Sequence, residues 1–492
     1  MVFKLCHFFS FLFKYCKMKF LFPAVLFFCL PTVFAQNTKS VNRLPSKAQL
    51  AWHDMEYYWF THFGPNTFTG KEWGHGNEKE EVFNPSQLDC RQWCKVAKAA
   101  GAKGIIITAK HHDGFCLWPS KYSTHTIRES KWRNGKGDVL KELSQACKEY
   151  GLKFGVYLSP WDRNHPDYGT EKYNDVFVKM MQEIFIGYGP IWEFWWDGAN
   201  GEGPNGKKQV YNFRRFENFV KKISPQTVVF SDIGPDCRWV GNENGVAGTT
   251  NWNYLDTAGF KRGEGSPTND TLNTGNRFGK SWIPAECDVS IRPGWFYHRE
   301  EDEKVKTPAS LFKLYLQSVG RGANLLLNVP PDERGLINEN DAASALAFKQ
   351  LLQKNFAINI FKNASGYYLQ RGILKKLTAL SDGNKNSTQL MEGIENYSAG
   401  INIKTNKKIN CIVLKEQLNN GQHCASFKLL LFNDANKLVK QIEGTTIGHK
   451  RILTFAAVDI NTIELTVLQQ DGITAINEIE AYLIDESLIE NK

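Results

Sequence analysis

The chain has 492 residues, 42% of them hydrophobic and 13% aromatic, with 60 Lys and Arg against 51 Asp and Glu. This is an ordinary soluble globular composition, long enough for one large domain and a smaller one. The formal charge of +9 falls to +5 when the four lysines of the N-terminal segment are set aside. No Lys/Arg block of the nucleic-acid-binding type is present, so a neutral partner fits at least as well as an acidic one.

Residues 1–35, MVFKLCHFFSFLFKYCKMKFLFPAVLFFCLPTVFA, carry no acids and two short apolar runs. The second run follows Met18 and Lys19 and ends in "VFA" before Gln36, the form of a signal peptide; Met18 offers an alternative start. Pro23 and Pro31 interrupt it and leave it shorter than the ~20 residues of a membrane span. Cleavage on export to the periplasm or the cell exterior is therefore expected, with no span in the mature chain. Eight scattered cysteines follow the leader. Cys90-x-x-x-Cys94 has neither zinc-ribbon nor redox spacing, so buried free thiols are the default, with a Cys411–Cys424 disulfide left open.

From residue 55 to 330 short apolar runs alternate with helix-like segments. Strands are predicted at 57–64, 104–112, 153–161, 191–198, 227–235, 248–253 ("GTTNWN"), 282–289 and 323–331. Amphipathic helices are predicted at Cys90–Ala100, Val139–Tyr150, Asp175–Ile186 and Val210–Ile223. Continuous apolar strands suit a parallel sheet buried on both faces. Eight strands about 38 residues apart imply a (β/α)8 barrel over residues 36–354. The alternative, a doubly wound open sheet, lacks a Gly-rich phosphate turn after the first strand. Residues 355–492 change texture, to short alternating segments such as "CIVLKE" and "TIELTVL" between Asn/Gly/Asp turns, and read as an antiparallel β-sandwich. All 14 tryptophans lie between Trp52 and Trp295. A sandwich with none is read as a supporting domain rather than an independent carbohydrate-binding module.

Active sites of such barrels gather at the C-terminal strand ends. Here those ends carry His62, His111, His112, Tyr157, Asp197, Asp232, Glu286 and Asn328, interleaved with Trp73, Trp161, Trp196 and Trp295. Sugars present C–H faces to aromatic rings and hydroxyls to carboxylates and imidazoles, so this mixture suits a carbohydrate. Glycoside hydrolysis normally uses two carboxyl groups. Asp197, closing the apolar run "EFWWDGAN", needs a partner among Asp232, Asp236, Glu243, Glu264 and Glu286, and periodicity does not choose. His62, His111, His112 and Asp113 have zinc-ligand chemistry, but no accompanying Cys or H-x-H arrangement supports a metal, and no cofactor is called for.

Seven ordered motifs, "HFGPNTFTGKEWGHG" (62–76), "AKHHDGFCLWPSKYSTHTI" (109–127), "GVYLSPWDRNHPDYG" (155–169), "FWWDGANGEGPNG" (194–206), "GPDCRWVGNENG" (234–245), "DVSIRPGWFYH" (288–298) and "NLLLNVPPDERGLI" (324–337), together resemble the α-L-fucosidases of glycoside hydrolase family 29. The "RWVGNE" form, and "GTTIGHKRI" (444–452) in the second domain, resemble the branch acting on α-1,3- and α-1,4-linked fucose in branched, Lewis-type glycans. The resemblance implies Asp197 as nucleophile and Glu243 as general acid/base. It further implies that His62, Glu72, Trp73, His111, His112 and Tyr157 hold the fucose hydroxyls and that Trp295 packs on the sugar's apolar side. It extends to Asp162, Asp236 and Arg238 for the sugars beyond fucose. One departure is Trp196, where many relatives carry phenylalanine. The implied partner is a fucosylated oligosaccharide or glycoconjugate. A retaining mechanism requires an ionised Asp197, which His111, His112 or a nearby arginine could stabilise. Two other readings are a different exo-glycosidase on the same fold, such as one removing α-galactose, and a non-catalytic glycan-binding protein. The second would be marked by loss of one of the two acids, and both are present.

Overall fold

The computed structural model describes residues 43–377, 380–393 and 397–489. The leader segment lies outside them. No helix among the described residues is long and apolar enough to cross a membrane.

Eight parallel strands close a barrel: β1 (Tyr57–Thr61), β2 (Gly104–Lys110), β3 (Lys153–Leu158), β4 (Glu193–Trp195), β5 (Val228–Ser231), β6 (Cys237–Trp239), β7 (Ala285–Ser290) and β8 (Asn324–Asn328). Neighbours pair in chain order and β8 closes onto β1, Tyr57 opposite Leu325. Helices at Cys90–Ala99, Val139–Tyr150, Glu171–Gly187, Phe213–Ile223, Pro308–Gln317 and Glu339–Asn355 cover the outside. Local chemistry sets their starts: the side chains of Asp89, Asp138 and Asn212 accept backbone N–H groups of the first turn, satisfying donors that the helix itself cannot pair.

Strand alternation sorts the apolar residues into two layers. Trp59, Ile105, Ile107, Val156, Phe194, Trp196 and Val229 pack outward against the helices. Tyr58, Phe60, Ile106, Tyr157, Trp195, Phe230 and Leu326 fill the barrel axis. Each such fully buried side chain stabilises the fold by roughly 1.5–3 kcal/mol, which is why nearly every strand position reads as apolar.

The sixth strand differs from the sequence prediction. It is the three-residue Cys237–Trp239, while "GTTNWN" forms no strand. Its polar backbone is taken up by the second domain: Asn251 N–H donates to Thr446 Oγ1 and Asn253 N–H to Gln422 Oε1.

That second domain is one continuous antiparallel sheet of eight strands: β9 (Ser365–Gln370), β10 (Ile373–Leu377), β11 (Gln389–Met391), β12 (Tyr397–Glu416), β13 (Cys424–Phe432), β14 (Leu438–Thr445), β15 (Arg451–Gln470) and β16 (Thr474–Tyr482). The 20-residue strands β12 and β15 run through all of it. The first half of β12 pairs with β9 and its second half with β16, around a separate core that includes Ile412, Phe427 and Ile463. The sheet is bolted to the barrel by Arg277, bidentate to Asp471 at 2.7 and 2.8 Å, and by Arg451, which donates to the Thr249 carbonyl at 2.6 Å. Cys411 and Cys424 are buried free thiols, as are the other six described cysteines.

Candidate active site

The alternation that fills the barrel also builds its mouth. On β4 Glu193 and Trp195 face the axis, and Asp197 occupies the next inward position past the strand end. On β1 the series Tyr58, Phe60 leads to His62. These ends enclose a cavity of about 190 Å³. All nine residues expected at a sugar site line it: His62, Glu72, Trp73, His111, His112, Tyr157, Asp197, Glu243 and Trp295. An adjoining depression of about 280 Å³, walled by Phe230, Asp232, Trp239 and Ser266, shares Trp195, Asp197, Ala199, Glu243 and Asp288 with it.

Asp197 is held by two donors, the Ala199 N–H at 2.7 Å and the Tyr157 hydroxyl at 3.0 Å. Burial raises its pKa, and these two hydrogen bonds oppose the rise. A histidine cation is not the stabiliser. Burial holds His62 and His112 down to about 3 and His111 well below the usual imidazole value, so all three are neutral at pH 7.

Their tautomers follow from the hydrogen-bond network. Asn328 Nδ2 donates to Ser290 Oγ and to the Trp295 carbonyl, so its Oδ1 accepts from His62 Nδ1 at 2.9 Å. Ser159 uses its hydroxyl hydrogen on the Trp161 carbonyl and therefore accepts from His112 Nδ1 at 2.8 Å. Both Nε2 atoms are left as acceptors. His112 Nε2 lies 3.7 Å from Asp197 Oδ2, two acceptors with room for a hydroxyl to bridge them.

Glu72 does more than face the cavity. Its carboxylate accepts from the Trp295 and Phe296 N–H groups and from His298 Nε2 at 2.5 Å, pinning the loop that carries Trp295. Behind that loop Arg292 is buried between Asp341 and Asp302. Trp73 stands at the rim, 55% exposed, edge-on to His112 and Trp161.

Glu243 comes from a turn built by its neighbours. Asn242 accepts from Asn244 N–H and donates to the Val246 carbonyl. Gly241 and Gly245 take left-handed φ of 86° and 73°, and a Cβ on Gly241 would meet the Asn269 carbonyl oxygen at 2.5 Å. Glu243 is exposed, and its carboxylate accepts the Trp295 indole N–H at 3.3 Å.

The other candidate acids do not join Asp197 and Glu243 in this cavity. Asp236 is tied to Lys221 and the Val229 N–H, and Glu264 pairs with Lys261 on the surface. Asp232 lines only the adjoining depression. Glu286 lies deep in the barrel, where Tyr58 and Trp195 donate to it. Three residues expected near outer sugars are structural instead. Asp162 is buried against Lys110 at 3.2 Å, Asp236 is the Lys221 partner, and Arg238 is fully buried on the carbonyls of Leu272, Trp252 and Ile283. Asp113 turns inward to the Phe115 N–H. The one metal-ligand-type cluster found among the described residues is Glu193, Cys237 and Glu286, below the site. Sequence reasoning missed Asp288, one layer above Glu286 on β7 and part of both cavities.

The α-L-fucosidase family model matches residues 32–356. The chain belongs to the α-L-fucosidases of glycoside hydrolase family 29. It is 40% identical over 438 residues to α-L-fucosidase 1 of Arabidopsis thaliana, covering 86% of this chain and 84% of that one. It is similar to the structure of a glycoside hydrolase 29 family member from a rumen bacterium (37% identity, TM-score 0.79, 90% of this chain and 78% of that one). It is also similar to a Ruminococcus gnavus family 29 fucosidase solved in complex with fucose (28% identity, TM-score 0.80, 91% and 96%). In this family 29 chain the site offers the enclosed Asp197 and the exposed Glu243, with Glu72 and Asp288 beside them, neutral imidazole acceptors and aromatic walls. That set can offer a nucleophile to a glycosidic carbon and a proton to its leaving oxygen. Trp196, the residue that departs from the family resemblance, packs outward with no partner for its indole N–H among the described residues, so a phenylalanine there loses no hydrogen bond.

Proposed function

We propose that the protein is a retaining exo-glycosidase that releases α-L-fucose, α-1,3- or α-1,4-linked, from branched fucosylated glycans after export and removal of its leader. The observation that carries the reading is the convergence of Asp197 and Glu243, 46 residues apart in the chain, on one cavity with His62, His112 and Trp295.

In this reading Asp197 attacks the anomeric carbon while Glu243 protonates the departing oxygen; Glu243 then takes a proton from water, which releases the sugar. Retention requires the two carboxyl groups ~5–5.5 Å apart across the bound sugar. The division of labour follows exposure: the enclosed acid faces the sugar ring, and the exposed acid meets the leaving group and water. His62 and His112 accept hydrogen bonds from sugar hydroxyls, and one hydroxyl bridging His112 and Asp197 ties substrate orientation to the nucleophile. Trp295 provides the apolar surface for the sugar's C–H face, and Trp73 at the rim reaches a sugar hydroxyl. The "RWVGNE" turn that carries Glu243 supports the linkage assignment.

Digestion of a panel of fucosylated oligosaccharides tests this. Free fucose from Lewis-type trisaccharides, with little from α-1,2-linked fucosides, is expected. Release of galactose alone, or cleavage confined to α-1,2 linkages, contradicts it. N-terminal sequencing of the exported protein is expected to begin near Gln36.

A further inference from the structure

Glu72 reaches the cavity from the segment after β1 and Trp295 from the loop after β7, and His298 ties the two together without lining the cavity itself. Its side chain is 9% exposed, and its Nε2 lies 2.5 Å from Glu72 Oε1, across 226 residues of sequence. A carboxylate only accepts, so the ring nitrogen carries the hydrogen. The same oxygen accepts the Phe296 N–H at 3.3 Å, which occupies its two lone pairs. Oε2 accepts the Trp295 N–H at 2.8 Å and keeps one lone pair for a sugar hydroxyl. Two further features hold the histidine in place. The Arg292 guanidinium donates to the His298 carbonyl at 3.2 Å. Gly294 leaves the room that the pair occupies: a Cβ there would meet Glu72 Oε1 at 2.6 Å and His298 Cδ2 at 2.9 Å.

Building on the assignment of Glu72 and Trp295 to the fucose, we propose that His298 is a positioning residue that acts through Glu72. Its Nε2–H fixes the rotation of the carboxylate, so that one oxygen serves the sugar while both hold the Trp295 loop. Without that donor the carboxylate turns about its last bond, and the Trp295 and Phe296 N–H groups lose a fixed acceptor. The sugar wall then moves with the loop. Among the described residues His298 makes its side-chain hydrogen bond to Glu72 and none to Asp197 or Glu243. Its effect therefore falls on sugar binding.

The test is a double-mutant cycle on an activated aryl α-L-fucoside, whose leaving group needs little acid catalysis, with inhibition by free fucose measured beside it. His298→Phe keeps a ring and removes the donor. It is expected to raise KM and the fucose inhibition constant together by about tenfold, the loss of one hydrogen bond to a charged group, with kcat held within about threefold. His298→Gln, which carries an N–H in place of Nε2, is expected to recover most of the loss. In a Glu72→Ala background His298→Phe is expected to add nothing, because residues that act as one unit are not additive. Penalties that add, or a fall in kcat alone, overturn the proposal. If His298→Phe fails to fold, Gly294→Ala, whose methyl group displaces the pair, takes its place in the same cycle: the same rise in KM, absent in Glu72→Ala, is expected, and an unchanged KM overturns the proposal. A Glu72→Ala protein with unchanged KM and fucose inhibition contradicts the assignment of Glu72 to the sugar instead.

Discussion

The barrel holds two pairs of carboxyls, one at its mouth and one in its interior, and β4 contributes to both. Glu193 and Glu286 are wholly buried, and every anchor is a neutral donor: Trp52 Nε1 to Glu193 at 3.0 Å, Trp195 Nε1 to Glu286 at 2.9 Å and the Tyr58 hydroxyl to Glu286. Four residues along β4, Asp197 has the same inward parity but opens on a cavity, and its partner Glu243 is exposed. A carboxyl buried without partners costs several kcal/mol; the inner pair is satisfied by fixed donors, and burial favours its protonated form. The outer pair keeps oxygen lone pairs free for a substrate. The same residue type at inward positions of one barrel is therefore suited to structure or to chemistry according to what completes its hydrogen bonding.

Breaking the outer pair has the largest expected effect. Asp197→Ala is expected to lower kcat by about a thousandfold or more with thermal unfolding unchanged or slightly raised, since a partly desolvated carboxylate is removed. Glu243→Ala is expected to lower turnover of natural glycans by about 10²–10⁴-fold. Azide is expected to restore cleavage of an activated-leaving-group fucoside, because little acid catalysis is then needed. Wild-type activity is expected to fall on the acid side as Asp197 takes up a proton, at a pH above that of an ordinary aspartate, as its raised pKa requires.

Breaking the inner pair tests the other half of the comparison. Glu286→Leu strands the Trp195 and Tyr58 donors and is expected to cost about 1–3 kcal/mol for each donor left unsatisfied. Burial pushes the pKa of both inner carboxyls up, and their mutual repulsion adds to this for Glu193. Their contribution to stability is thus complete below the usual carboxylate pKa and is lost as pH rises through the folded values. Glu286→Gln, which cannot lose its hydrogens, is expected to flatten the fall of Tm on the alkaline side. The smallest effect is expected from Arg277→Ala at the barrel–sheet contact, about 1 kcal/mol or less for a partly exposed pair.

Much of this was legible in the sequence because alternation does double duty. The eight-strand barrel, the antiparallel domain and the position of Asp197 follow from apolar runs whose parity is strict. Glu243 was legible only through the "RWVGNE" motif, since an exposed turn residue leaves no periodic trace. The sixth strand escaped because three residues inside a turn-rich motif carry no apolar run. "GTTNWN" imitated a strand whose partners are loops of the second domain. Asp162, Asp236 and Arg238 were misread because the groups that neutralise them, Lys110, Lys221 and three carbonyls, are distant in the chain. Asp288 was within reach: β7 begins at Ala285, and counting by twos from Glu286 places Asp288 at the cavity.

The pairing of Asp197 with Glu243 across one bound sugar is tested most directly by the configuration of the product. Proton NMR of the sugar released in the first turnovers, before mutarotation, is expected to show α-fucose, the result of two displacements at one carbon. β-Fucose as the first product would require a single attack by water and would contradict Asp197 as nucleophile.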